Sequence, residues 1–150
     1  MIISDKYKFA FIHIPKCAGT TVRTPLQEFD SRNGAFTSRV DEHPNLGNLD
    51  YVHIPLFVLR DNFPEEFEAV RRHWSFAVMR DPLERFASSV SQRVKKYSGK
   101  PIQKHKPSEI ERYIYKDIDY LFHQVKEQYL LPPDYIHFQK QVDYIRLEED

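Results

Sequence analysis

The pattern of apolar and polar positions predicts short strands alternating with amphipathic helices. Apolar, β-branched and aromatic runs at 8–14, 49–54 and 74–79 are typical of buried strands. Helices are predicted over 21–29, 64–72, 81–97 and 108–131, from helical spacing of apolar residues and from start and stop signals. The polar stretch 31–48 predicts a long surface loop, and a last short strand is predicted at 135–138 or 142–145. This alternation predicts an α/β fold with a small, largely parallel sheet flanked by helices.

Local signals sharpen two helix starts and weaken one helix. Asp81 followed by Pro82 and Glu84 indicates a capped start, because aspartate accepts from free backbone N–H groups and proline suits the first turn. The sequence SEIE at 108–111 is typical of a capping box. Pro25 lies inside the first predicted helix, which we expect it to shorten or kink.

Composition argues against several classes of protein. The chain has 150 residues, which suits one domain, and its 22 basic and 22 acidic residues balance. A neutral chain argues against a protein that coats nucleic acid. Cys17 is the single cysteine, so no intrachain disulfide can form. The sequence shows neither a signal peptide nor an apolar run long enough to cross a bilayer, so we expect a cytoplasmic protein without a membrane partner.

The turn that follows the first predicted strand is a candidate phosphate site. A strand, a tight turn with lysine and glycine, and a helix that opens on two threonines would point backbone N–H groups at an anion. The alternative is an ordinary strand-to-helix turn with a surface lysine. The turn lacks the Walker A spacing, because its lysine precedes the glycine. The predicted binding residues are Pro15, Lys16, Cys17, Ala18, Gly19, Thr20 and Thr21.

A second candidate site lies at the third predicted strand. Arg80 ends the strand, where α/β folds place ligands, and Ser88 lies two helical turns further on. A guanidinium and a hydroxyl suit a phosphate dianion. The alternative is that Arg80 pairs with a carboxylate and Ser88 is a small packing residue.

The two motifs together resemble those of sulfotransferases that use 3′-phosphoadenosine 5′-phosphosulfate (PAPS), in their carbohydrate-type branch. FIHIPKCAGTTV (11–22) is similar to the 5′-phosphosulfate loop, and FAVMRDPLERFASS (76–89) is similar to the 3′-phosphate motif. The resemblance covers residues 8–97 well and implies a P-loop-like, three-layer fold. It also implies a domain longer than 150 residues, so the chain is a minimal member, a fragment or a degenerate relative.

The resemblance further implies roles for single residues. Lys16 would stabilise the leaving phosphate oxygen, and Arg80 with Ser88 would hold the 3′-phosphate. His53, in YVHIP (51–55), is nominated as the general base that takes a proton from an acceptor hydroxyl, which the style of the motif suggests is on a carbohydrate. The alternative is a structural histidine at a strand end. His13 is expected to be a packed or hydrogen-bonded core residue.

Weaker signals complete the hypothesis. No acidic residue lies between Glu84 and Glu109, where seven basic residues form either a solvated face or a rim that attracts anions. A weak likeness to carbohydrate-type relatives implies that Gln141 lies near the acceptor or cofactor pocket; the alternative is a polar loop before a strand. Cys17 is interpreted as a spacer, and no metal is expected. The predicted activity is sulfuryl transfer from PAPS, releasing adenosine 3′,5′-bisphosphate; the alternatives are a non-catalytic nucleotide-binding or interaction domain and, less favoured, a kinase-like enzyme.

Overall fold

The computed structural model describes residues 1–37, 40–125 and 128–147 and separates into two compact units. The first unit contains Met1–Met79 and Pro132–Asp150, and the second contains Arg80–Leu131. The first unit is therefore built from two separate stretches of sequence, whereas the second is continuous.

A three-stranded sheet forms the centre of the first unit. Its strands are β1 (Ile2–Ser4), β2 (Phe9–Ile12) and β5 (Trp74–Ala77), in the order β1-β2-β5. β2 and β5 are parallel, as the alternation of elements predicts, with Phe9 opposite Trp74 and Ile12 opposite Ala77. β1 pairs antiparallel with β2 through a short turn, and the sequence pattern did not predict this strand. A turn of four residues can join antiparallel strands only, which explains the orientation.

The predicted long loop and the second predicted strand are partly wrong. A hairpin of β3 (Val40–His43) and β4 (Gly47–Asp50) occupies this part of the chain. It forms a separate two-stranded sheet, so two of the three strand pairings are antiparallel and the expectation of a largely parallel sheet is wrong. Gly47, with a φ of 65°, supplies the left-handed residue that the tight turn needs. Most of the hairpin is exposed, and the chain continues into a 3-10 turn, Tyr51–His53.

The described part of the first unit contains the helices α1 (Gly19–Leu26), α2 (Leu56–Asn62) and α3 (Pro64–Arg72). α3 packs against the three-stranded sheet, and α2 packs against α3. α1 continues as a 3-10 turn, Gln27–Phe29, and contains Pro25 one residue before its end. The sequence pattern did not predict α2, because four consecutive buried residues, Leu56 to Leu59, hide the helical period. The core draws on both segments of the unit, with Phe11, Leu59 and Tyr144 fully buried.

The predicted last strand is wrong. Ile136–Phe138 and Gln141–Tyr144 are 3-10 turns. The Tyr144 hydroxyl donates to the carbonyl of Ile136 over 3.1 Å, which ties the two turns to each other. Aromatic and β-branched residues here serve packing rather than a sheet, and composition alone does not separate these cases.

The second unit is helical. α4 (Pro82–Ser98) and α5 (Pro107–Asp119) carry it, and α5 continues into a π turn, Tyr120–Gln124. The prediction that this helix runs to Leu131 is wrong, because residues 128–131 are not helical. Asp81 caps α4 as predicted, since its Oδ1 accepts from the N–H groups of Leu83 and Glu84. The predicted capping box is shifted: α5 begins at Pro107, and Glu109 Oε2 accepts from the N–H of Lys106.

A buried ion pair joins the two helices of this unit. The Arg93 guanidinium donates to both carboxylate oxygens of Asp117, with Nε–Oδ1 at 2.9 Å. Both side chains are at least nine-tenths buried. Removing Arg93 would leave the Asp117 carboxylate buried without this partner.

Candidate active site

The turn at residues 15–21, named the phosphate turn for its predicted ligand, has a strained backbone. Lys16 and Ala18 both adopt left-handed conformations, with φ of 66° and 58°, although neither is glycine. Such residues cost free energy and persist where the surrounding structure holds them, as happens at ligand sites. The two strained residues flank Cys17, which is buried and donates its S–H to Oε1 of Gln141 over 3.2 Å.

The helix that follows the turn presents free donors. Ala18 is the N-cap of α1 and offers no side-chain acceptor, and the first turn of the helix holds no acidic residue. In the described residues, the N–H groups of Gly19 and Thr20 have no acceptor, while that of Thr21 bonds back to the Ala18 carbonyl. Free N–H groups and the positive end of the helix dipole suit an anion.

The side chains of the turn divide between interior and surface. Pro15, Cys17 and Gly19 are buried, Lys16 is partly exposed, and Ala18, Thr20 and Thr21 are exposed. The buried residues anchor the turn, whereas the exposed hydroxyls and the lysine line its outer surface. The residues predicted for this site thus lie together and in the expected element.

Gly19 is required for space. A Cβ at this position would lie 1.9 Å from Cδ2 and 2.2 Å from Nε2 of His13. The imidazole of His13 therefore fills the volume that any other residue at position 19 would need. The expectation from sequence was that this glycine lets the backbone approach an anion, and the neighbouring ring adds a packing reason.

His53 is held by a carboxylate that was not among the predicted site residues. Nδ1 of His53 lies 2.9 Å from Oδ2 of Asp50, three residues earlier in the chain, immediately before the 3-10 turn that follows β4. This bond favours the tautomer that carries its proton on Nδ1 and leaves a lone pair on Nε2. Nε2 has no hydrogen-bond partner in the described parts of the chain. The spacing Asp-x-x-His was the available signal.

The carboxylate of Asp50 is ionised. Burial would raise the pKa of Asp50, but the hydrogen bond and charge of His53, the N–H of Val52 and the charge of His137 together outweigh it, and the pKa lies below its usual value. An ionised Asp50 stabilises an imidazolium on His53 once that ring has accepted a proton.

His13 links the phosphate turn to His53. Its ring centroid lies 4.7 Å from that of His53, and its edge lies against Gly19. His13 is 5% exposed, and its Nδ1 has no hydrogen-bond partner among the described residues, so the expected core histidine is packed and Nδ1 is unsatisfied. Burial and the neighbouring charge of His53 lower the pKa of His13 to about 3, which keeps it neutral near pH 7. On the other side, the His137 ring lies 5.5 Å from His53.

Arg80 and Ser88 belong to the second unit. Nε of Arg80 bonds to Oε2 of Glu84 over 3.1 Å, and its side chain is 42% exposed. Glu84 lies one helical turn before the partly exposed Ser88, on the same face of α4. The carboxylate partner that the alternative interpretation required is present, in the form of an exposed ion pair.

The basic run is not uniform. Arg85 and Arg93 are buried, and the exposed positions are Lys95, Lys96, Lys100, Lys104 and Lys106.

A cavity of about 430 Å³ in the first unit, between β1, β2 and α3, contains none of the predicted site residues; its lining includes Asp5, Lys8, Glu65, Glu68, Arg72 and His73. Across the described residues, no group of histidine, cysteine and carboxylate side chains is arranged to hold a metal ion, and no helix is long and apolar enough to cross a membrane.

Comparison with known proteins agrees with the resemblance of the two motifs. Curated proteins and solved structures give no match. The family model described as "Sulfotransferase family" matches residues 1–145, which is nearly the whole chain. The chain therefore belongs to the sulfotransferase family, in its family 2 branch.

Proposed function

We propose that this protein transfers the sulfuryl group of PAPS to a hydroxyl acceptor and releases adenosine 3′,5′-bisphosphate. The observation that carries the proposal is the hydrogen bond between Asp50 and His53. The His13 ring lies between His53 and Gly19 of the phosphate turn. It pairs an oriented base with a strand–turn–helix anion site in one unit. We also propose a P-loop-like arrangement of layers around β2 and α1, supported by that strand–turn–helix.

The 5′ and 3′ phosphate groups of the donor call for separate sets of binding residues. The free N–H groups of Gly19 and Thr20 and the hydroxyls of Thr20 and Thr21 are suited to the 5′-phosphate. Lys16 would neutralise charge on the oxygen that leaves sulfur, where electrostatic stabilisation counts most. Arg80 and Ser88 are our candidates for the 3′-phosphate, which distinguishes PAPS from ATP, because a guanidinium and a hydroxyl suit a phosphate dianion.

The transfer step needs one base. The acceptor oxygen attacks sulfur, the bond from sulfur to the 5′-phosphate oxygen breaks, and its electron pair leaves with adenosine 3′,5′-bisphosphate. The hydroxyl proton goes to Nε2 of His53, and Asp50 stabilises the resulting imidazolium. The motif style supports a sugar hydroxyl as the acceptor.

Binding and transfer test the proposal separately. The full chain is heated with adenosine 3′,5′-bisphosphate, with adenosine 5′-monophosphate, and with ATP plus magnesium. Ligand at 100 times its dissociation constant stabilises a protein by about 2.7 kcal/mol, so selective binding of the bisphosphate will shift the melting temperature clearly. Absence of that shift would refute the proposed donor.

Transfer is then measured with ³⁵S-labelled PAPS and a panel of sugars. We expect His53→Ala to abolish transfer while bisphosphate binding persists. Near-normal turnover in this variant would remove His53 as the base. A wild-type chain that binds the bisphosphate selectively but transfers to no acceptor would favour the alternative, a nucleotide-binding domain without catalysis.

A further inference from the structure

The phosphate turn is held by a residue far away in the sequence. The left-handed backbone of Lys16 and Ala18 is unfavourable for residues that carry a Cβ. Such a conformation needs support from its surroundings. The residue between them, Cys17, is 2% exposed, so its side chain is the anchor of the turn.

The anchor is fixed by Gln141. The S–H of Cys17 donates to Oε1 of Gln141 over 3.2 Å, and Gln141 is itself 9% exposed. A total of 124 positions separate the two residues. Because both groups are buried, loss of the amide would leave the thiol without this acceptor in an interior site.

Gln141 is held in place by contacts that do not involve the phosphate turn. It begins the 3-10 turn Gln141–Tyr144, which contacts α2. Tyr144 is fully buried and bonds to Ile136, and the Gln139 amide donates to Asp143 in the same segment. The amide of Gln141 is thus presented to Cys17 from a segment with its own anchors.

We propose that Gln141 is a positioning residue that acts through Cys17 to keep the phosphate turn in its binding conformation. The inference rests on the proposed function, because the ligand of the turn is the 5′-phosphate of the donor. Gln141 aligns Lys16 and the N–H groups of Gly19 and Thr20 without touching the donor. Its loss weakens donor binding more than it slows transfer from bound donor.

Cys17 makes the proposal measurable without any ligand, because it is the only cysteine of the chain. The rate at which a thiol reagent, 5,5′-dithiobis(2-nitrobenzoate), modifies the full chain reports how often the turn opens. We expect Gln141→Ala to raise this rate about tenfold, the factor that corresponds to a net hydrogen bond of ordinary strength. Gln103→Ala is the control, since it removes the same amide from an exposed position of the second unit, and we expect its rate to stay within about twofold of wild type.

Binding and kinetics complete the test. For Gln141→Ala we expect the Kd of adenosine 3′,5′-bisphosphate and the KM of PAPS to rise about tenfold, with kcat at saturating PAPS within about twofold of wild type. Gln141→Leu, which keeps the volume and removes the acceptor, is expected to behave in the same way, and it replaces Gln141→Ala if circular dichroism shows that variant to be unfolded. Equal labelling rates in wild type and in the folded variant would overturn the proposal. A wild-type chain that does not bind the bisphosphate would overturn the proposed function instead, while the labelling comparison still decides the role of Gln141.

Discussion

Replacing Gly19 by alanine should disrupt the site through a clash. The new Cβ would lie 1.9 Å from Cδ2 of His13, so one of the two must move by roughly 1.5 Å to reach an ordinary carbon–carbon contact. The His13 ring has little room, because it stacks on Phe11 at 6.0 Å and meets His53 at 4.7 Å. A displaced His13 therefore moves either the phosphate turn or His53.

Two free-energy contributions decide whether Gly19→Ala stabilises or destabilises the protein. Alanine in place of glycine favours a helix by about 0.5–1 kcal/mol, and the first helical position gains no more than this. Overpacking of a filled site costs about 1–3 kcal/mol. We expect Gly19→Ala to lower the free energy of unfolding by about 1–2 kcal/mol and to weaken adenosine 3′,5′-bisphosphate binding at least about tenfold.

A double-mutant cycle tests the cause. Urea unfolding is measured for wild type, Gly19→Ala, His13→Ala and the double variant. Once the ring is gone the clash is gone, so Gly19→Ala should be neutral or stabilising in the His13→Ala background. Gly47→Ala is the control for glycine replacement, since nothing lies within 4 Å of its Cβ position and only its φ of 65° opposes the change. A Gly19→Ala variant as stable as wild type, or an equal loss in both backgrounds, would refute the reasoning.

Three further predictions concern charge and proton transfer. Asp50→Asn should lower kcat by about 10- to 100-fold while bisphosphate binding stays normal, because an amide neither fixes the His53 tautomer nor stabilises the imidazolium that forms on it. An unchanged kcat in steady-state assays would contradict the pairing of Asp50 with His53. Arg80→Ala should weaken adenosine 3′,5′-bisphosphate strongly and adenosine 5′-monophosphate little in titrations, whereas equal losses would exclude the 3′-phosphate role. The pKa of His13 is about 3 in the folded chain, against 6.5 for a histidine exposed to water. Between pH 6.5 and pH 3 the unfolded chain therefore binds a proton on His13 that the folded chain does not, and the free energy of unfolding falls as the pH drops through this range. Urea midpoints against pH should show this decline in wild type and a weaker one in His13→Phe; parallel curves would argue against the buried neutral ring.

The sequence predicts best where its signals are local. The apolar run 8–14 predicts β2, and Asp81 with Pro82 predicts the start of α4, because each depends on a few neighbouring residues. The strained turn after β2 is likewise visible as PKCAGTT. These elements hold most of the predicted site residues.

The remaining errors have two physical sources. Runs of buried residues hide their period, so the pattern neither reveals α2 nor separates the 3-10 turns of the second segment from a strand. Contacts between distant residues leave no pattern in one sequence. The packing of His13 on Gly19 and the bond from Cys17 to Gln141 are of this kind, whereas the pairing of Asp50 with His53 is local and could have been found from its spacing.

The split of the first unit into two segments has a consequence for synthesis. Chains leave the ribosome from the amino terminus, at about 5–20 residues per second. The second unit, Arg80–Leu131, is continuous in sequence, so all of its residues leave the ribosome in one stretch. The first unit must wait for the residues after Pro132, so β2, its turn and α1 emerge early and stay without their partner Gln141 while the 124 positions that separate it from Cys17 are translated. Arrested chains that carry a C-terminal linker long enough to bring Gln141 out of the ribosome should therefore protect Cys17, whereas chains that end before residue 141 should not.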